Sequence, residues 1–483
     1  MTGVSAEPAA LVKNIGRAKR QRNLSTRAER YQAGKALRRK VPRSSHAVWV
    51  PPRDRPDVVD LLKESDCTRL AQLLPIRYGR MASSPFCFLR GSAGIMARDL
   101  VGTPVSGMHV QLAGDAHASN FGFFATPERD IVFDSIDFDE TNSGPWEWDL
   151  KRLTTSLFLV SLDRGFPARA ARKAARSAAL SYRERMHAFA QMRYLDTWYV
   201  HLDKAEVVRE IERKGQRLFR REAEKARERT EFHTFPKIAT VKNGRARITD
   251  VPPLIMHYED AQDDEAFRTV FENYRTTLPP ERRMLLDRYH LEDIAQKVVG
   301  IGSVGTRCSV GLFLGDKDLL DPLFLQVKEA IPSAYEPFLG PSRYANHAER
   351  VVVGQRLIQH ASDIFLGWGS SGSHDYYVRQ LRDMKFAADF TALGAKALFV
   401  QAELCGAALA RAHARTGDPA GIAGYLGEGE VFDEAIVEFA EAYANQTVKD
   451  HATLVKAISK GRLPSADPVT GLAAKPRIAR QSK

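Results

Sequence analysis

Three short segments concentrate the side chains able to do chemistry: Gly114-Asp115-Ala116-His117-Ala118-Ser119-Asn120, then Ile136-Asp137-Phe138-Asp139-Glu140, then Gly144-Pro145-Trp146-Glu147-Trp148-Asp149-Leu150. Carboxylates and an amide at these intervals suit phosphoryl transfer. That reaction needs one carboxylate to orient the attacking hydroxyl and side-chain oxygens to hold magnesium against phosphates. In this reading Asp115 orients or deprotonates the acceptor, Asn120 and Asp137 bind Mg2+, and His117 supports Asp115 by bracing the loop. Asp139 and Glu140 are close enough in sequence to contact substrate, a turn role being equally open. Gly-Asp and Asn-x-Gly pairs also form ordinary turns. Asp115-x-His117 with Asp137 and Asp139 is in addition a partial ligand set for a two-metal phosphoesterase, for which only Asn346-His347 offers anything downstream. The three segments together favour the phosphoryl-transfer reading over an isolated turn.

Asp115, His117 and Asn120 match, residue for residue, a loop of the kinase-like phosphotransferases typified by the aminoglycoside and choline kinases, histidine-glycine-aspartate-x-histidine-x-x-asparagine. Ile136-Asp137-Phe138 resembles the metal-binding turn of those enzymes, and Asp149-Leu150 resembles the helix-start aspartate that braces their loop. Ala113 stands where the first histidine of the motif would be, which removes one bracing side chain. The resemblance implies ATP and Mg2+ as cofactors. At the same motifs, and over most of its length, the chain also resembles an uncharacterised bacterial family known as a domain of unknown function, which supplies no substrate.

Other elements must position these residues. Val110 to Leu112 and Ile131 to Ile136 read as strands at the edges of the motif, and Phe86 to Gly94 as a strand or buried turn leading into a helix. Helical periodicity marks Val58 to Leu74, Asp149 to about His233, Asp260 to Lys297, Tyr344 to Leu366 and Ala397 to Arg415. At Val298 the character changes. Gly300, Gly302 and Gly305 make a G-x-G-x-x-G pattern suited to close backbone approach to phosphates, followed by strands at Ser309 to Leu314 and Leu323 to Lys328. Alternation puts Leu323, Leu325 and Val327 on one face and Phe324, Gln326 and Lys328 on the other. Strand, glycine turn, strand and embedded lysine is the kinase order. Lys328 would therefore hold nucleotide phosphates beneath the glycines, with Glu349 as its ion-pair partner, and Asp375 to Leu381 would lead to a hinge between lobes.

These nucleotide-side motifs follow Asp115, whereas kinases have them first. A circular permutation resolves the order, since termini that lie close in space allow it. Gly91-Ser92-Ala93-Gly94 would restore the usual order but lacks a following strand lysine. The expected fold is therefore α+β: a two-lobed, circularly permuted kinase-like architecture with a large helical lobe and a smaller antiparallel-sheet nucleotide lobe. Its parts are a basic arm (1–50), the catalytic segment with helical lobe (51–297), the nucleotide lobe (298–390), returning helices (391–465) and a tail (466–483).

The chain has 483 residues, 44% of them hydrophobic, enough to bury a sizeable core. No apolar run approaches the roughly 20 residues that span a bilayer, and the N-terminus lacks a secretion-signal core, so a cytoplasmic location is expected. The four cysteines are scattered without CxxC pairing, which signals neither a disulfide framework nor a zinc site. Most of the +12 net charge falls between Met1 and Arg43, an arm that suits either solvation or an anionic partner, while Arg209 to Arg229 alternates in sign like an exposed helix. The expected activity is ATP- and Mg2+-dependent phosphoryl transfer to an unknown small-molecule or protein acceptor, with nucleotidylyl transfer a close variant. A non-catalytic nucleotide-sensing or nucleic-acid-associated scaffold is the alternative, motivated by the arm and by Ala113.

Overall fold

The computed structural model describes residues 25–203, 231–258, 261–315, 321–381, 386–387, 389–390 and 392–471. The first part of the basic arm, the Arg209 to Arg229 run and the end of the tail lie outside these residues. The architecture is mixed α+β, with helices around small antiparallel sheets.

Helix α1 (Arg27–Leu37) starts in a capping box, Thr26 accepting from the Glu29 amide while Glu29 reaches back to Thr26 N. Four described arginines of the arm are used internally. Arg27 donates to the carbonyls of Gln191 and Met192, Arg38 to those of Tyr425 and Gly424, and Arg43 to Leu426, while Arg30 pairs with Asp418. Guanidinium groups there meet the partial negative charge at helix C-termini. Four short helices follow: α2 (Val58–Asp66), α3 (Leu74–Met81), α4 (Pro85–Gly91) and α5 (Ala93–Leu100). The Phe86 to Gly94 stretch, expected as strand or turn, is thus helical. Ser84 caps α4 through the Cys87 amide and Pro85 occupies its first turn, a local start signal that outweighs the β propensity of the two phenylalanines.

The segment carrying the acidic loop is built from β1 (His109–Leu112), β2 (Phe121–Ala125), β3 (Ile131–Ser135) and β4 (Asn142–Pro145), with β1 antiparallel to β4 and β2 to β3. Helices α6 (Trp146–Asp163) and α7 (Ala168–Gln191) follow. Late in the chain, α11 (Ala395–Thr416), α12 (Pro419–Leu426) and α13 (Val431–Ser459) return to pack on them. The alanine face of α7, Ala171, Ala174, Ala175 and Ala178, lets α11 approach closely. A Cβ on Gly406 would stand 2.2 Å from the Ala178 carbonyl oxygen, so a larger residue there would force the two helices apart. Trp146 stacks on Tyr182 at 5.6 Å in the same core, where each large apolar side chain contributes about 2 kcal/mol by burial.

A separate sheet has six strands: β5 (Ile255–Met256), β6 (His290–Lys297), β7 (Cys308–Leu314), β8 (Pro322–Ala330), β9 (Gly367–Ser371) and β10 (His374–Gln380). Their spatial order is β9-β10-β8-β7-β6-β5, every neighbour antiparallel. Helices α8 (Ala261–Thr277) and α9 (Pro280–Leu286) precede β6. Residues His290–Lys297, expected as the end of a helical region, are strand because their backbone is needed between β5 and β7. The β8 alternation holds. Leu323, Leu325 and Val327 pack with Phe267, Val270 and Tyr274 of α8, while Phe324 turns to Val310 and Leu312. Helix α10 (His347–Ile358) follows β8, shorter than the predicted Tyr344 to Leu366 because Asn346 caps it. Helix α2 likewise stops at Asp66 rather than running to Leu74.

Among the described residues no helix is long and apolar enough to cross a membrane. The four cysteines are unpaired, Cys308 and Cys405 being buried.

Candidate functional site

The loop after β1 turns at Gly114, whose φ of 83° and whose Cβ position, 2.2 Å from the Glu140 carbonyl oxygen, exclude any side chain. Asp149, in the first turn of α6 and fully buried, accepts from the amides of Ala113 (2.7 Å) and Gly114 (3.0 Å), and His413 of α11 bridges it to Tyr182. The Tyr335 hydroxyl donates to Gly114 O at 2.6 Å. The loop is therefore braced without a side chain at position 113.

This bracing presents Asp115 at a cavity of about 480 Å³, where its carboxylate meets Arg152 of α6 at 2.5 Å and lies 3.5 Å from His117 Nε2. Burial pushes the Asp115 carboxyl up to about 6 against the pull of Arg152, with the charges of Glu140 and Asp137 acting in the same direction as burial. His117 is 3% exposed, and burial, reinforced by the cations of Arg90 and Arg152, holds its pKa well below the usual histidine range. The imidazole is neutral at physiological pH. Asn120 donates from Nδ2 to Asp115 O at 2.8 Å.

Asp137, Asp139 and Glu140 follow β3 and line the same cavity, as do Gly300, Gly302 and Ser303. The glycine segment joins antiparallel strands β6 and β7. Its carbonyls are held by the N-terminal helices: Arg77 donates to Ile301 O and Gly302 O, Arg69 to Val304 O, Arg80 to Gly300 O, and the Leu70 amide to Gly305 O. Gly305 itself is not part of the cavity wall; a Cβ there would meet the Arg69 side chain at 2.9 Å.

Lys328 and Glu349 differ from expectation. Lys328 is 2% exposed and lies outside the cavity wall, its ammonium ion-paired with Asp139 rather than Glu349. A cation in a strand buried along its length needs a carboxylate, and Asp139 is fixed there by Tyr377 OH (2.8 Å) and Ser303 Oγ (3.0 Å). Burial opposes ionisation of both groups, yet their mutual attraction brings Asp139 down to about 2 and raises Lys328. On α10 it is Arg350 that faces this region, donating to the carbonyls of Asp139, Thr141 and Ile331. Glu349, one residue earlier, lies a quarter-turn round the helix, where its amide receives the Asn346 cap.

Arg152, Tyr377, Ser303 and the arginines of α3 and α4 are site residues that sequence reading passed over. Arg152 had one available signal: it lies three residues after Asp149, about one helical turn on and on the same side of the helix. Asn346 and His347 do not extend a metal set, because Asn346 caps α10 and bonds Asp375 while His347 lies 3.6 Å from Glu336. Among the described residues no group of three or more His, Cys, Asp or Glu is arranged to hold a metal ion.

The fold and the cavity define a mixed α+β protein in which an acidic loop and a glycine segment from separate sheets share one cleft. The chain belongs to the family described as "Uncharacterized protein conserved in bacteria (DUF2252)", whose model matches residues 69–457. No curated protein and no solved structure matches the chain.

Proposed function

We propose that the chain is an ATP- and Mg2+-dependent phosphotransferase with a circularly permuted kinase-like arrangement. The observation carrying this reading is that Asp115, Asn120, Asp137, Gly300 and Gly302, from two distant parts of the sequence, line one cavity of about 480 Å³. Asp115 accepts the proton of the acceptor hydroxyl. Its carboxylate is steered by Arg152 and ionises near neutrality, as general-base work requires. The oxygens of Asp137 and Asn120 fit magnesium, which keeps several waters and needs only one or two protein ligands beside the phosphates. Asp137 has no ion-pair partner among the described residues, and Asn120 commits only its nitrogen to Asp115 O, leaving Oδ1 for a cation. Magnesium, when bound with nucleotide, would neutralise phosphate charge during transfer.

Gly300 and Gly302 offer backbone to the phosphates. Lys328 orients Asp139 beside Asp137 and reaches phosphate only if Asp139 yields it. Further support for the permutation comes from α11, whose Thr416 Oγ1 accepts from the Gln111 amide at 3.1 Å, so this late helix ends where the catalytic segment begins.

Calorimetry of the purified chain with ATP, with and without Mg2+, tests the reading. Magnesium-dependent binding is expected, and its absence would remove the foundation. Labelled ATP offered to metabolite and protein pools would identify the acceptor, and product mass would separate phosphoryl from nucleotidylyl transfer.

A further inference from the structure

Four arginines of the N-terminal helical region, Arg69, Arg77, Arg90 and Arg98, line the cavity, and three have fixed partners. Arg77 pairs with Asp66 at 2.9 Å and holds the carbonyls of Gly91, Ile301 and Gly302. Arg69 pairs with the same Asp66 at 3.2 Å and holds Val304 O, while Arg98 reaches Glu64 at 3.4 Å. Arg90 differs. It has no ion-pair partner among the described residues, its Nε is buried without a hydrogen-bond partner, and its guanidinium lies only over the Phe86 ring at 5.8 Å. A cation in such a setting is stable when a ligand supplies the missing acceptors.

Its surroundings also leave polar groups unmatched. One carboxylate, Asp66, serves two guanidiniums, so this wall carries excess positive charge. His117 in the same cavity is 3% exposed with Nδ1 unpartnered. The turn after Arg90 opens α5 without a side-chain cap, because the Ser92 hydroxyl donates backwards to Phe88 O and Leu89 O. Ala93 and Gly94 line the cavity, and their amides are the first of that helix.

We propose that Arg90, with the Gly91–Gly94 turn beside it, binds a phosphate-class anion in the cavity that Asp115 also lines. This deepens the phosphotransferase reading, on which the identity of the anion's carrier rests: an acidic acceptor or the nucleotide's own phosphates.

The test titrates the full chain with inorganic phosphate, alone and at saturating MgATP, for wild type, Arg90→Gln and Arg90→Lys. Phosphate should bind the wild type and weaken about tenfold or more in Arg90→Gln, with a smaller loss in Arg90→Lys, which keeps the charge but not the planar fork. Binding that persists under MgATP assigns the anion to the acceptor, and displacement assigns it to the nucleotide. A wild type that does not bind phosphate, or an Arg90→Gln variant that binds it as well as wild type does, would overturn the proposal. Should Arg90→Gln fail to fold, phenylglyoxal modification of Arg90 in the wild type, followed by mass spectrometry, gives the second readout. Phosphate should slow it markedly, and an unchanged rate overturns the site. Phosphate binding without any MgATP binding would break the nucleotide reading and leave this one standing.

Discussion

Asp115 is held by opposing forces: burial and neighbouring acids push its proton on, and Arg152 pulls it off. Replacing Asp115 by Asn should lower turnover about 100-fold or more while leaving MgATP affinity within a few-fold, because orienting a nucleophile matters in the transition state rather than the bound state. Asp137→Asn should behave oppositely, weakening MgATP binding in calorimetry; equal losses of binding in both variants would contradict the assigned roles. Arg152 is fully buried, so Arg152→Met leaves Asp115 without its partner and should destabilise the fold by about 3 kcal/mol in denaturant titration. Combining it with Asp115→Asn should recover part of that loss, since the unpaired charge is then gone.

At the scale of elements, the Lys328–Asp139 pair ties β8 to the segment after β3, with Tyr377 of β10 and Ser303 of the glycine segment on the same carboxylate. Lys328→Met should therefore cost stability as well as nucleotide binding. A variant that lost only nucleotide affinity, with an unchanged denaturant midpoint, would show that the pair carries no structural load. His46 makes a second linkage, joining the end of the arm to Tyr425 of α12 at 2.7 Å and to the Phe432 ring of α13. Burial, helped by Lys151, brings its pKa from 6.5 down to about 3. The folded protein keeps His46 neutral while the unfolded chain protonates near 6.5, so stability is full above that pH and falls as pH drops toward 3. The loss approaches about 5 kcal/mol over the whole window. Denaturant midpoints for wild type and His46→Phe should converge as pH is lowered from 7 to 4. Parallel curves would mean that His46 does not set this dependence.

Across the whole molecule, the acidic loop, the glycine segment and the N-terminal helices meet at one cavity, so a ligand there should stabilise the fold as a unit. At about 100 times its Kd, MgATP should add roughly 3 kcal/mol to unfolding free energy, read as a shift of the denaturant midpoint that disappears in Asp137→Asn. Arg77 joins α2, α4 and the glycine segment through Asp66, Gly91 O and Gly302 O, and a structural change there would reach all three.

The sequence by itself was enough to mark the acidic loop, strands at Val110 to Leu112, Ser309 to Leu314 and Leu323 to Lys328, and a long helix at Ala397 to Arg415, because turn chemistry, alternation and helical periodicity are local properties. The brace role of Asp149 was expected from a resemblance at Asp149-Leu150, and its carboxylate does accept the Ala113 and Gly114 amides. Partner choice was not legible. Lys328 meets Asp139 instead of Glu349, Asp115 meets Arg152, and Arg69 and Arg77 share Asp66, because a buried charge takes whichever opposite charge folding brings within reach. The helical state of Phe86 to Gly94 and the strand at His290–Lys297 were hidden for a related reason: short apolar stretches fit either state until a cap or a neighbouring strand decides. That Gly302 and Asp115 line one cavity is likewise decided only by tertiary packing, which brings together backbone separated by nearly two hundred residues.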